Sequence, residues 1–415
     1  MKPLILSTAD INGGAARAAY RLHQGLQSID VSSQMLVQTK TSDDVTVISP
    51  RSKIDKGIAK LRLTLDRLPL LAYKKSEREI YSLQWLPERV AAKVAQIDPD
   101  VINLHWVCHG FLNIETLTKF TQPIVWTLHD MWAFTGGCHY NQECDRYIDS
   151  CGACPQLSSS SNHDLSHWVW QRKAKAWKNI NLTIVTPSKW LAKCVSSSSL
   201  FKDLRIEVIP NGLDTDRYKP MNRQLARQLL GLPEDKLLVL FGAMNATSDP
   251  RKGFHLLQQA LLSLSKSEWK EQLSLVVMGA SQPSSQLDFG FKTHYLGKLS
   301  DDISLALIYA AADVFVAPSI QDNLPNTVME ALSCGTPCVA FNIGGMPDMI
   351  EHQRNGYLAQ AYKTEDLAQG IAWVLVNLER HSKLCKIARE KAECEFTSAI
   401  QAQRYTSIFT EISPS

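Results

Sequence analysis

A chain of 415 residues, 45% apolar and 20% charged, is globular in composition, and at this length one core usually divides into two domains with a cleft between them. A formal net charge of +3 is too small for the strongly basic face that phosphate-backbone binding needs, so nucleic acid is not an expected partner. No run of about 20 predominantly apolar residues occurs, so any membrane contact is expected to be peripheral.

The run Leu4 to Ser7 is shorter than the roughly 7–15 apolar residues of a secretory core and reads as the first strand of a cytoplasmic protein. It leads into Asp10-Ile11-Asn12-Gly13-Gly14-Ala15-Ala16, where Gly13 and Gly14 leave bare backbone that can approach a phosphate at a helix start. The spacing is not Gly-x-Gly-x-x-Gly, which counts against a dehydrogenase. Gln34 to Val37 reads as a second strand. Arg51 to Arg78 then carries nine Lys and Arg side chains together with Ile58, Leu61, Leu63, Leu65, Leu68, Leu70 and Leu71. A basic amphipathic segment of this kind either lies solvated beside a cleft or touches an anionic membrane.

Val101 to Leu104 and Ile124 to Leu128 continue the strands, and His129 stands at the end of the second, where parallel sheets place ligands. Asp130 either orients the His129 ring or caps the following helix. Cys138, Cys144, Cys151 and Cys154 then share one loop with His139. Ten cysteines and no export signal argue for reduced thiols or a metal rather than disulfides. Four thiolates close a tetrahedral structural zinc site with no open position for catalysis; unligated thiols are the alternative. Trp132, Tyr140, Trp168 and Trp170 surround this insertion, either as core or as flat faces for a sugar ring. Leu182 to Val185 and Arg205 to Ile209 complete a series of strands alternating with amphipathic stretches, which implies parallel βα units.

Ile209-Pro210-Asn211-Gly212-Leu213-Asp214 reads as a turn or linker and sets the domain boundary. Beyond it lies a second α/β series, with strands Leu237 to Phe241, Leu273 to Met278, Asp313 to Ala317 and Cys338 to Phe341. Asp249-Pro250-Arg251-Lys252-Gly253-Phe254 offers two adjacent cations, suited to a diphosphate or to a solvated helix start. From Pro318 to Pro337 the chain places a strand end, an acid-bearing loop and a helix, Thr327 to Cys334, stopped by Gly335. Asn326 and Thr327 at that helix start present amides to a phosphate. Glu330, one turn further, is placed to accept from ribose hydroxyls, and Asp322 to hold sugar hydroxyls. Ser158 to Ser161 and Ser196 to Ser199 read as loops, and Thr364 to Ile412 as helical.

The frame Ser319-Ile320-Gln321-Asp322…Glu330-Ala331-Leu332-Ser333-Cys334-Gly335-Thr336-Pro337 resembles glycosyltransferase family 4, with its signature Ser-x-x-Glu…Glu-Ala-x-x-x-Gly-x-Pro. The likeness extends through Gly344-Gly345-Met346-Pro347-Asp348 and Asn355-Gly356 to nearly the whole chain. Two departures stand out: Asp322 replaces the first glutamate, which shortens its reach, and Asn323-Leu324-Pro325 replaces Gly-Phe-Gly, which removes one amide donor. Gly242-Ala243 also stands where the family often has an arginine.

The resemblance implies a GT-B fold, an α/β class of two Rossmann-like domains with an interdomain cleft. Residues 1–212 would form the acceptor side, 213–396 the nucleotide-sugar side, and 397–415 a helix crossing back to the first domain. It implies a retaining, hexosyltransferase-type enzyme that needs no cofactor for catalysis and moves a sugar from a nucleotide-sugar donor to a glycan or lipid-linked acceptor. The setting it implies is cell-surface polysaccharide biosynthesis at the inner face of the membrane. His129, Arg251, Lys252 and Asp322 would be the catalytic group; Gly13, Gly14, Asn326, Thr327 and Glu330 would bind the donor. The alternatives are a catalytically silent glycan-binding or scaffold protein of the same fold, a nucleotide-sugar epimerase, and a phosphorylase-like enzyme.

Overall fold

The computed structural model describes residues 1–50, 52–73, 81–242, 249–279, 288–299 and 301–413. The chain divides into two compact units. Unit 1 comprises Met1–Pro210 and Ala399–Ser415, and unit 2 comprises Asn211–Ser398.

Unit 1 is built on strands β1 (Pro3–Ala9), β2 (Gln34–Thr39), β3 (Val47–Ile48), β4 (Val101–Leu104), β5 (Ile124–Thr127), β6 (Leu182–Thr186) and β7 (Arg205–Val208). They pair in the order β3-β2-β1-β4-β5-β6-β7, and every pairing is parallel. Side chains alternate across a strand, so neighbours in β1 enter different cores. Leu4 and Leu6 pack with Ile102, Leu104 and Trp126 on one face, while Ile5 packs with Leu22, Val125 and Val185 on the other. Covering both faces is what lets β4, β5 and β6 be buried throughout.

Part of the second cover comes from far along the chain. Helix Ser398–Ile412 sets Ala402, Tyr405, Ile408 and Phe409 into the core around Ile5. The Tyr405 hydroxyl lies 2.8 Å from Thr127 Oγ1 at the end of β5.

Unit 2 repeats the plan with β8 (Leu237–Gly242), β9 (Leu273–Met278), β10 (Thr293–Tyr295), β11 (Val314–Ala317), β12 (Cys338–Phe341) and β13 (Gly356–Ala359). The order is β10-β9-β8-β11-β12-β13, again parallel. In each sheet the connections reverse direction between two neighbours, β1 and β4 in unit 1, β8 and β11 in unit 2. Open α/β sheets bind ligands in the crevice outside the carboxyl ends at such a reversal. The loops after β1 and β4, and those after β8 and β11, are therefore the places where chemistry is expected.

The units divide at Pro210 and Asn211, two residues before the expected boundary. The reason is local: Asn211 Nδ2 donates to Asn326 Oδ1 at 3.3 Å, and Leu213 exchanges backbone bonds with Phe396 and Ser398. Ser196 and Ser197, expected in a loop, close helix Lys189–Ser197 with their hydroxyls bonded to Lys193 O.

Candidate functional site

In unit 2 two close backbone approaches bring Arg251, Lys252 and Asp322 together. Asp249 opens the short turn Pro250–Lys252 by accepting from the Arg251 amide at 3.0 Å. Gly253 follows at φ +69, and a Cβ there would stand 1.8 Å from Pro318 O, so only glycine lets this turn sit against the loop after β11. Ile320 N donates to Arg251 O at 2.9 Å and ties the two loops together. From the other side Gly345 N donates to Asp322 O at 3.2 Å.

The result is a compact ionic group. Lys252 Nζ lies 2.7 Å from Asp322 Oδ2 and Arg251 Nη1 lies 3.8 Å from the same oxygen. Arg251 also pairs with Asp249 at 3.1 Å and donates to Gln321 O at 3.2 Å. Burial alone would push the Asp322 carboxyl up, but the Lys252 and Arg251 cations, with the Ser319 hydroxyl, hold it below its ordinary value. At 6% exposure, Asp322 aims its carboxylate at Lys252, Ser319 and its neighbour's amide. In this geometry Asp322 anchors the Lys252 ammonium.

Helix Asn326–Ser333 begins one residue earlier than expected, because Pro325 at φ −66 serves as its cap. Asn326 and Thr327 occupy the first turn, whose amides have no intrahelical acceptor. Glu330 is 3% exposed and its Oε2 accepts from the Tyr309 hydroxyl at 2.9 Å, so a protein donor already orients the carboxylate. Ala243 lies outside the described residues.

In unit 1 the loop after β1 is held by Asp10, whose carboxylate accepts from the amides of Ile11, Thr41 and Ser42 at 2.8–3.0 Å. Gly13 then takes φ +110 as the cap of helix Gly14–Ser28, a conformation that favours glycine. Gly14 is the first residue of that helix. Sequence reasoning passed over Asp10, although a carboxylate directly after a strand and before a glycine pair is a visible signal.

His129 lies past the end of β5, and its orienting partner is His105, which the sequence reading also missed. Asn103 Nδ2 donates to Val125 O and to Thr127 Oγ1, both at 3.1 Å. Asn103 Oδ1 therefore faces His105 Nε2, 2.9 Å away, and can only accept. The His105 proton sits on Nε2, because burial holds this ring neutral, an effect the neighbouring His129 adds to. His105 Nδ1 is then an acceptor 2.8 Å from His129 Nε2, so His129 carries its proton on Nε2. Burial lowers the His129 pKa to about 4, despite the opposing charge of Asp130, leaving a neutral ring with a lone pair on Nδ1.

Asp130 Oδ1 accepts from the Trp132 amide at 2.9 Å, although the cap position of the short helix Trp132–Phe134 is Met131. Asp130 Oδ2 binds Trp106 Nε1 at 2.7 Å and His139 Nδ1 at 2.6 Å. Among the aromatic residues near the insertion, Trp132 is core beneath the buried Lys173 ammonium. Trp168 is exposed, with the Arg172 guanidinium over its ring. Cys138, Cys144, Cys151 and Cys154 all line one small cavity. Among the described residues, no three His, Cys, Asp or Glu side chains stand as a ready coordinating group.

The basic segment forms helix Lys53–Asp66, capped by Ser52. Ile54, Ile58, Leu61, Leu65, Leu68 and Leu71 are all exposed along it and the turn that follows, as are Lys56, Lys60 and Arg67. Arg51, Lys74, Lys75 and Arg78 lie outside the described residues. Among the described residues, no helix is long and apolar enough to cross a membrane.

Two family models match this chain. Residues 12–217 match Glycosyltransferase Family 4, and residues 235–377 match Glycosyl transferases group 1. The chain belongs to glycosyltransferase family 4. This family 4 chain is 30% identical over 202 residues to a D-inositol 3-phosphate glycosyltransferase of Saccharomonospora viridis, an overlap of 45% of this chain and 46% of that protein. It spans less than half the length of the curated relatives it matches there. Over 99% of both chains it superposes on sucrose-phosphate synthase from Thermosynechococcus elongatus with a TM-score of 0.70 at 17% identity. Anabaena HepE in complex with UDP-glucose gives 0.64 at 18% identity, covering 99% of this chain and 100% of that one. At these identities the likeness is one of fold, the GT-B arrangement of two Rossmann-like domains.

Proposed function

We propose that this family 4 chain is a retaining glycosyltransferase that moves a hexose from a nucleotide-sugar donor to a glycan or lipid-linked acceptor in cell-surface polysaccharide biosynthesis. The observation that carries the donor half of this reading is the Lys252 ammonium, held 2.7 Å from Asp322 at the strand-end crevice of unit 2. A fixed cation there meets the charge that develops on a departing diphosphate, and needs no reorganisation when the bond breaks. The first-turn amides at Asn326 and Thr327 add the positive end of a helix dipole. Glu330, already oriented by Tyr309, accepts from the ribose hydroxyls. The UDP-glucose bound to HepE supports a uridine diphosphate sugar as the first donor to try.

In this reading the bond from the anomeric carbon to the diphosphate oxygen breaks while the acceptor oxygen bonds to the same face of the sugar. The acceptor proton passes to the released phosphate. Lys252 and Arg251 stabilise the leaving group, and the neutral His129 ring takes part as a hydrogen-bonding group. Acceptor access is from an anionic membrane surface at its cytoplasmic side. Exposed Leu61, Leu65 and Leu68 enter the interface, and Lys56, Lys60 and Arg67 meet the headgroups.

The test is a thermal-shift screen of nucleotide sugars followed by kinetics. A donor should stabilise the wild type, and Lys252→Ala should lower kcat by an amount equivalent to about 2–4 kcal/mol with little change in KM. A change in KM alone would make Lys252 a uniform binder. A wild type that binds donor but neither transfers nor hydrolyses it points to the silent, glycan-binding reading.

A further inference from the structure

The insertion between β5 and helix Leu165–Trp177 is not used by the donor or acceptor chemistry above. Its four cysteines, separated by as many as sixteen positions from Cys138 to Cys154, return to one place. Cys138, Cys144, Cys151 and Cys154 line a single cavity of about 20 Å³. A space of that size holds about one water-sized sphere, so it suits an ion and not an organic ligand. All four are free thiols.

The cavity wall treats the Cys151 sulfur as an electron-rich acceptor. The Gly136 amide donates to Cys151 Sγ at 3.0 Å. An N–H donor of this kind disperses the charge that a metal-bound thiolate keeps and fixes the ligand's direction. Beside it the Leu157 amide donates to Cys154 O at 3.1 Å and the Thr135 hydroxyl to Cys138 O at 2.6 Å, which holds the backbone at two of the other cysteines. Gly136 is required for the approach, since a Cβ there would lie 2.7 Å from Cys151 Cβ and 2.3 Å from Ser166 O.

A buried cation completes the electrostatics. Lys173 is 0% exposed; its ammonium donates to Trp132 O and to Thr135 O and lies 3.7 Å from the centre of the Trp132 ring. Four thiolates around a divalent ion carry two net negative charges, and an interior ammonium beside them offsets part of that burial cost.

We propose that Cys138, Cys144, Cys151 and Cys154 bind one structural zinc ion. No three of the four sulfurs yet stand as a coordinating group; the ion draws them to about 2.3 Å by side-chain rotation, and the four thiol protons leave to solvent. Zinc fixes the loop that carries His139, which reaches Asp130 Oδ2 at 2.6 Å and Ser82 Oγ at 3.0 Å. The metal thus braces the walls around the end of β5 without touching a reactant.

The experiment is elemental analysis of the full chain purified without chelator, beside Cys154→Ser, Cys144→Ser and a control, Cys394→Ser, at an exposed position. The expected result is about one zinc per chain in the wild type and control, and its loss in the two ligand variants. Cobalt exchanged into the folded wild type should show intense thiolate-to-metal charge-transfer absorption, which a zinc ion bound elsewhere by imidazoles and carboxylates does not give. Cys144→Ser removes a half-buried ligand, and far-ultraviolet circular dichroism shows whether it folds. A zinc-free wild type without cobalt uptake, iron in place of zinc, or full zinc in a folded Cys144→Ser chain overturns the proposal.

Discussion

At the scale of single residues, one amide side chain determines which nitrogen of His129 holds a proton. Because Asn103 Oδ1 accepts from His105, the chain of bonds runs one way, from His129 Nε2–H to His105 Nδ1 and from His105 Nε2–H to Asn103. Long-range proton–nitrogen NMR should therefore show His129 as the neutral Nε2–H tautomer near pH 7. An Nδ1–H signal would refute this. Asn103→Asp stabilises a protonated His105, which then donates to His129 Nε2 and moves the His129 proton to Nδ1. The expected loss in kcat is about tenfold, the effect of one misdirected hydrogen bond. None of this was legible in the chain beforehand. His129 is visible from its place after an apolar run, but His105 and Asn103 become its partners only when β4 and β5 pair side by side. Lys252 and Asp322, seventy positions apart, were both singled out by motif. Their ion pair depends on Gly253, whose role is evident only from Pro318 O beside it.

Elements were legible where burial imposes a pattern. β4, β6, β9 and β12 are apolar runs bounded by turn residues, as covered parallel strands must be. The strands that escaped notice, Val47–Ile48, Thr293–Tyr295 and Gly356–Ala359, are short or, like the last, open on a glycine after an asparagine, a turn signal. Helix Ser398–Ile412 reads as amphipathic, yet its sequence does not state which core receives Phe409. Because Phe409 is fully buried in unit 1, Phe409→Ala should cost about 3–5 kcal/mol, measured by denaturant unfolding. A loss below about 1 kcal/mol would mean that the helix is not part of that core. Helix Lys53–Asp66 presents the opposite case, with Ile54, Ile58, Leu61 and Leu65 exposed. A Lys56→Glu, Lys60→Glu, Arg67→Glu variant should lose co-sedimentation with anionic vesicles at low salt, where wild type pellets, and high salt should weaken the wild type too. Equal sedimentation of both would assign a soluble glycan acceptor.

For the whole molecule, acid is the informative stress. Burial lowers His23 and His129 to about 4 and His109 to about 3, and holds His105 well below its ordinary value. A histidine whose folded pKa is depressed binds fewer protons folded than unfolded near pH 5. Its stabilisation is thus complete above about 6.5 and is lost as pH falls toward 4. For His23 and His129 the shift is worth on the order of 3 kcal/mol at its limit. The carboxylates Asp44, Asp130 and Asp322, held below their usual values, act in the same direction but lower, near pH 4. All four histidines lie in unit 1, as do eight of the ten tryptophans, the exceptions being Trp269 and Trp373. Tryptophan fluorescence should show a melting temperature that falls steadily from pH 7 to pH 4.5. A flat profile over that range would contradict the buried neutral rings.

Helix Ser398–Ile412 also bears on how the molecule is born. Unit 1 is interrupted by the whole of unit 2, which spans Asn211–Ser398, so a ribosome finishes the second core before it supplies the last piece of the first. At 5–20 residues per second, that interval lasts roughly 10–40 s. During it, Ile5, Val125 and Val185 have no Phe409 or Tyr405 to cover them, and a half-made first sheet must wait with an apolar face open. Chaperone demand should therefore concentrate on nascent chains that have passed Pro210 and not yet reached Phe409, while the contiguous second unit folds as it is made.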